Sequence, residues 1–247
     1  MTIMLSIARN EARRIFVSPL AWTVLAVLQA ILGIVFLLLL IEYAQDADSE
    51  RRYTGVADYI GNGLYGFATL VLLMIVPLLT MRAFAEDRRS GSLQLLLAAP
   101  ASLVDIVLGK FLGLTVFTFA AIALIAVMPL MLLVGTELDL GRIAAGLLGL
   151  ALLMMAFTAA GLFVSALTRE PTIAAVGGFG LLLGFWLMQV LGSQSGPVGE
   201  MLGYLALTGH FENLKRGVFS SADVAYYLLF IGVFLWLTVL RLDSERG

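Results

Sequence analysis

The sequence predicts an all-α polytopic membrane protein with six transmembrane helices, and three observations predict it. Of 247 residues, 61% are hydrophobic and 13% are charged, a balance that places the chain among membrane proteins. Uncharged stretches of about 20 residues recur along its length, and that is the helix length needed to cross a hydrocarbon core roughly 30 Å thick. The basic residues are also divided unevenly between alternate connections. Helices are expected because in lipid each backbone polar group must find its partner inside the structure.

Residues 1–19 open the chain with an amphipathic segment. Met4, Leu5, Ala8, Ala12, Ile15 and Phe16 share one side, Ser6, Arg9, Asn10, Arg13 and Arg14 the other, and Ser18-Pro19 is the break. Spans are expected at 20–41, 61–81, 106–134, 143–168, 172–191 and 224–240. The first is read as a retained span, because no small-residue cleavage site follows its acidic exit at Glu42. With the N-terminus inside, Arg9, Arg13, Arg14, Arg82, Arg88, Arg89, Lys110, Arg169, Arg241 and Arg246 lie on the cytoplasmic side. These are ten of the 15 Lys and Arg residues, so both termini are expected in the cytoplasm. The 42–60 loop gathers Glu42, Asp46, Asp48, Glu50 and Asp58, so a net charge of -2 conceals a positive inside and a negative outside. Neither this loop nor 192–223 is long enough to bury a core of its own.

Between the second and third spans the oil is interrupted by EDRRSGSLQLLLAAP, residues 86–100. Gly91 and Pro100 bound a short helix with Leu93, Leu96 and Leu97 on one stripe and Gln94 and Ala98 opposite. Such a helix suits either a groove on a partner or the headgroup layer. Ser102 and Asp105 form a capping box that starts the third span. Lys110, about one turn inside that span, is expected to snorkel to the interface. Gln29 and Gln189 are expected to bond between helices, and Gly161, Gly177, Gly178, Gly180 and Gly184 to let helices approach. Trp22 is the tryptophan clearly near a predicted boundary.

GSQSGPVG at 192–199 ends the fifth span, and the apolar piece Met201 to Leu207 is too short to cross. It is expected to re-enter or cap the outer interface. Ser220 and Asp223 have the spacing of a second capping box. His210, Glu212, Lys215 and Arg216 are candidates for contact with an external partner or an exiting substrate; the alternative is a solvated surface helix with His210 held by local hydrogen bonds.

Several chemistries are excluded. His210 is the only histidine, so a His-based zinc site is ruled out, and no GxSxG elbow occurs. The one Gly-Lys pair, Gly109-Lys110, is followed by Phe111, so no phosphate cradle is present. The spans hold no acid or histidine of the kind a proton-coupled carrier uses. There is no cysteine and hence no thiol chemistry. No catalytic residue, metal site, cofactor or nucleic-acid partner is expected for this chain.

The run from Glu86 to Pro100 resembles the cytoplasmic signature of ABC-2 permeases, roughly E-[ED]-x-x-x-G-[TS]-x-E-x-L-L-x-x-P, followed as here by a segment ending LGKF. HFENLKRGVFSSADVAYYL, from His210 to Leu228, resembles the last external loop of the gliding-motility and copper-enzyme-maturation branch of that family. The resemblance covers essentially the whole chain. It implies a permease of the bacterial inner membrane, present as two copies (a homodimer or a pair with a close paralogue). Two cytoplasmic ABC ATPase subunits would hold ATP and Mg, and an extracytoplasmic accessory protein would sit on the 42–60 and 192–223 loops. Residues 1–19, with Arg9, Arg13 and Arg14, would be the elbow helix. Glu86, Gly91, Ser92, Leu93, Leu96, Leu97 and Pro100 would carry ATPase coupling, and Gln94 departs from the pattern where the family has glutamate. Export or force transmission follows from the resemblance. The rivals are a stand-alone secondary carrier or lipid scramblase not coupled to ATP, and a structural scaffold.

Overall fold

A computed structural model describes residues 2–45, 56–98, 101–134, 139–192 and 196–245. Among the described residues the regular structure is helical throughout, and six helices are long and apolar enough to cross a membrane. Helix α1 (Thr2–Val17) lies ahead of α2 (Pro19–Gln45), with proline at the first helical position of α2, where its missing N–H leaves no bond unmade. Then follow α3 (Val56–Thr80), the short pair α4 (Ala85–Arg89) and α5 (Ser92–Ala98), α6 (Leu103–Met131) and α7 (Leu140–Leu167). The chain closes with α8 (Pro171–Gly192), two short helices α9 (Pro197–Leu205) and α10 (Leu207–Lys215), and α11 (Ser221–Asp243).

Helix α7 is the hub. Leu150, Leu153, Phe157 and Ala160 are buried on it, and α3, α6, α8, α10 and α11 all pack against it. Small residues set the spacing: a Cβ added at Gly161 would collide with the Thr80 hydroxyl, and one at Gly178 would touch Pro77. Gly180 and Gly184, by contrast, face open space. Helices α2, α8 and α11 keep most of their apolar surface outward, as expected where the solvent is hydrocarbon.

The N-cap Ser102 accepts from the Asp105 amide at 3.0 Å, the predicted cap, and Asp139 does the same for the Arg142 amide at 3.1 Å. The second expected box is corrected: the Ser220 side chain makes no capping bond, and the Asp223 carboxylate that would complete the box is turned inward, 4% exposed, toward α10. The expected inter-helix bonds of Gln29 and Gln189 are also not made through their side-chain oxygens, which are buried without partners. The end of α1 that carries Arg14 and the residues just after α11 lie at one end of the bundle, here the terminal face, joined to α4 through Glu86 and Glu245; α9 and α10 cover the opposite, distal face. They are separate short helices joined at Ala206, in the region where a single short apolar segment was expected.

Candidate functional site

The terminal face carries a network of charges around α4. The turn before it is pinned first: the Ser165 hydroxyl on α7 accepts from the Phe84 and Ala85 amides, both at 3.1 Å, and donates to the Met81 carbonyl at 3.0 Å. Arg88 then donates to the carbonyls of Ala166 and Thr168, each at 2.7 Å, and pairs with Glu245 at 2.7 Å. A guanidinium at the C-terminus of α7 satisfies orphan carbonyls and complements the helix dipole.

Asp87 faces the other way and joins three elements. It accepts from Lys110 of α6 at 2.6 Å and from Arg14 of α1 at 3.2 Å. Lys110 also pairs with Glu11 at 3.4 Å and sits 5.2 Å over the Phe84 ring. The expectation that Lys110 snorkels is corrected: it is 3% exposed and held in the seam between α1 and α6. Two carboxylates and an aromatic face there replace water as its solvation. Arg14 further pairs with Glu86 at 2.9 Å. Burial would lower the Arg14 pKa, but the carboxylates of Glu11, Asp87 and Glu86 outweigh it and raise it.

Close backbone packing makes this seam. A Cβ on Gly109 would come within 3.0 Å of the Met4 carbonyl, and one on Gly113 within 2.9 Å of the Ala8 carbonyl. Gly109-x-x-x-Gly113 is thus a small-residue groove for α1, with Lys110 beside its first glycine. Sequence reasoning missed both this groove and Glu11. The GxxxG spacing and a lone acid among the arginines of residues 4–16 were the available signals.

Gly91, at φ +76, makes the turn between α4 and α5. The Ser92 hydroxyl donates to the Asp87 carbonyl at 3.3 Å, tying α5 to α4. Of the expected stripe, Leu93 is 3% exposed and packs into the core, and Leu96 is half-buried. The Leu97 side chain and Pro100 lie outside the described residues. The leucine turned outward is Leu95, 77% exposed. Arg9 and Arg13 are exposed on α1 and make no part of the network, whereas Arg14 is central to it.

On the distal face, His210 Nδ1 lies 2.6 Å from Asp223 and Nε2 3.0 Å from the Tyr204 carbonyl. Both ring nitrogens lie within hydrogen-bond reach of oxygen atoms. Tyr226 stacks on the imidazole at 4.0 Å, and Asn213 donates to Asp223 at 3.1 Å. Tyr226 and Tyr227 donate to the carbonyls of Leu205 and Leu207. Side chains of α10 and α11 thus fasten the joint between α9 and α10. Glu212 pairs with Lys215 at 2.7 Å within α10, and Arg216 is exposed beside a cavity of about 470 Å³ lined by Asp139 and Arg142. His210 is therefore held by local bonds. His210→Ala is expected to lower stability by about 1–3 kcal/mol, since it removes one hydrogen bond to a buried carboxylate and one to a backbone carbonyl; thermal unfolding in detergent measures it.

Among the described residues no group of acids and histidines is arranged to hold a metal ion. A family model described as ABC-2 family transporter protein matches residues 5–243. No curated protein matches the chain. The chain belongs to the ABC-2 transporter family, and is a multi-pass membrane protein of its permease component.

Proposed function

We propose that this ABC-2 family chain is the membrane-spanning subunit of an exporter or force-transmitting complex, driven by a separate cytoplasmic ATPase acting on residues 86–100. The reading extends to the gliding-motility and copper-enzyme-maturation branch, to two permease copies with two ATPases, and to a cytoplasmic terminal face in the inner membrane. An accessory protein on the distal face belongs to the same reading.

One observation carries it: Asp87, immediately ahead of the exposed α5, is bonded to both α1 and α6. A displacement applied to α5 therefore reaches α1 and the third span, α6, as one body rather than dissipating in a loop. Leu95, Leu96 and Gln94 offer the surface on which a partner would push. In this scheme α1 is the elbow helix and α5 the coupling helix. Closure of two partner ATPases moves α4, α5, α1 and α6 together, and the spans shift between inward-closed and outward-open arrangements.

The test is co-purification of tagged protein from native membranes in mild detergent, comparing wild type with Leu95→Glu and Leu96→Glu. A subunit carrying a GxxxxGK[ST] motif should accompany wild type. Its recovery should fall about tenfold or more in variants that still insert, because a carboxylate would be desolvated in an apolar contact. If no ATPase accompanies wild type under several extraction conditions, the coupling reading fails and an ATP-independent carrier is the better account.

A further inference from the structure

At the terminal face, where α7 ends, α8 begins and α11 runs out, lies a cavity of about 440 Å³. Three guanidinium groups from three separate elements line it: Arg88 of α4, Arg169 between α7 and α8, and Arg241 of α11. Among the described residues Glu245 is the only carboxylate in the lining, and it bridges Arg88 at 2.7 Å and Arg241 at 3.1 Å. Three cations against one anion leave an excess of two positive charges. Arg169 is exposed and makes no hydrogen bond or ion pair with the described residues. Gln94 adds a neutral amide to the rim.

We propose that this cavity binds the phosphate headgroup of an anionic phospholipid, with Glu245 as a built-in competing carboxylate. Guanidinium forks pair with phosphate oxygens in bidentate fashion. The pocket sits at the ends of three spans, the depth at which headgroups lie, and basic pockets between spans at that depth recognise anionic lipids. Leu167, 48% exposed, is an apolar neighbour of the kind an acyl chain covers. The turn of α11 that carries Arg241 also borders, at Leu240, an apolar groove of about 390 Å³ between α6 and α11, lined with Val104 and Trp236. Headgroup and chain sites thus meet at adjacent residues. A free phosphate would use the arginines but not the groove. The inference stands apart from the ATPase reading, because it needs only the membrane depth of the pocket.

The test is native mass spectrometry of the full chain in detergent with palmitoyl-oleoyl phosphatidylglycerol or phosphatidylcholine, in wild type, the double variant Arg169→Gln/Arg241→Gln, and Glu245→Gln. Arg88 is left intact because it also caps α7. Wild type should retain phosphatidylglycerol preferentially. The double variant should lose that preference by roughly 30-fold, the equivalent of about 1 kcal/mol for each arginine. Glu245→Gln should strengthen retention several-fold. Unfolding temperatures identify any variant that has simply misfolded, and Arg169→Gln alone, at an exposed position, then serves in place of the double variant. Equal retention of the two lipids overturns the proposal, as does a preference indifferent to the arginines or to Glu245. Displacement by millimolar inorganic phosphate also overturns it, since the site would then be one for free phosphate.

Discussion

Lys110→Leu is expected to destabilise the protein by about 3–5 kcal/mol, the cost of breaking a buried ion pair from one side. The ammonium lies between the carboxylates of Asp87 and Glu11, and all three side chains are nearly shielded from solvent. Removing it leaves two acids facing each other in a site that water reaches poorly, with Arg14 as the remaining cation near both. Thermal or denaturant unfolding in detergent, alongside the yield of inserted protein, measures the effect. The triple variant Glu11→Leu/Asp87→Asn/Lys110→Leu is expected to recover most of the loss, because a buried charge cluster replaced as a unit sheds its desolvation penalty together with its attraction. A single variant that unfolds like wild type would show that water, not the two carboxylates, solvates the lysine.

The second large effect is expected from Gly113→Leu. A Cβ there would meet the Ala8 carbonyl at 2.9 Å and the Ala12 amide at 3.2 Å, which are backbone atoms with no rotamer to yield. Overpacking of this kind typically costs about 1–3 kcal/mol, and more where backbone must move. The least resistant response is for α1 to lift away from α6, because α1 packs mainly against α6 and much of its remaining surface is exposed. Since the chain has no cysteine, two engineered cysteines carrying spin labels, on α1 and α6, report the separation directly. The distance distribution should broaden and lengthen in Gly113→Leu but not in Gly180→Leu, where the glycine faces open space. Unchanged distances would mean that the seam is looser than its geometry implies. If α1 does lift, Lys110 loses Glu11 as well, so the two predictions are coupled and their effects should not add.

The spans were legible because hydrocarbon selects on composition, which needs no knowledge of neighbours. The Ser102 cap was legible for a related reason: donor and acceptor lie three residues apart, and the helix itself brings them together. Identical spacing misled at Ser220 and Asp223, where a histidine and an asparagine on the preceding helix claim the carboxylate. Lys110 shows the same limit more sharply. Its depth in the span was readable, but its fate was decided by Glu11, 99 positions away, and by two glycines whose use depends on what lies against them. The leucines of α5 illustrate a third case: a helical wheel sorts side chains into faces but does not say which face the bundle claims. The bundle takes Leu93 and turns Leu95 outward.

The placement of Arg88 has a consequence for how the protein is made. Its side chain is held by Ala166, Thr168 and Glu245, all of which leave the ribosome later than α4 and α5. During synthesis the 86–98 segment is therefore exposed before it has a seat. It acquires part of that seat when the fourth long hydrophobic helix inserts, and the rest only when the sixth has entered the bilayer. A half-made chain presents a loosely held segment and a finished one presents a fixed platform, so the geometry separates complete molecules from incomplete ones before any partner is engaged.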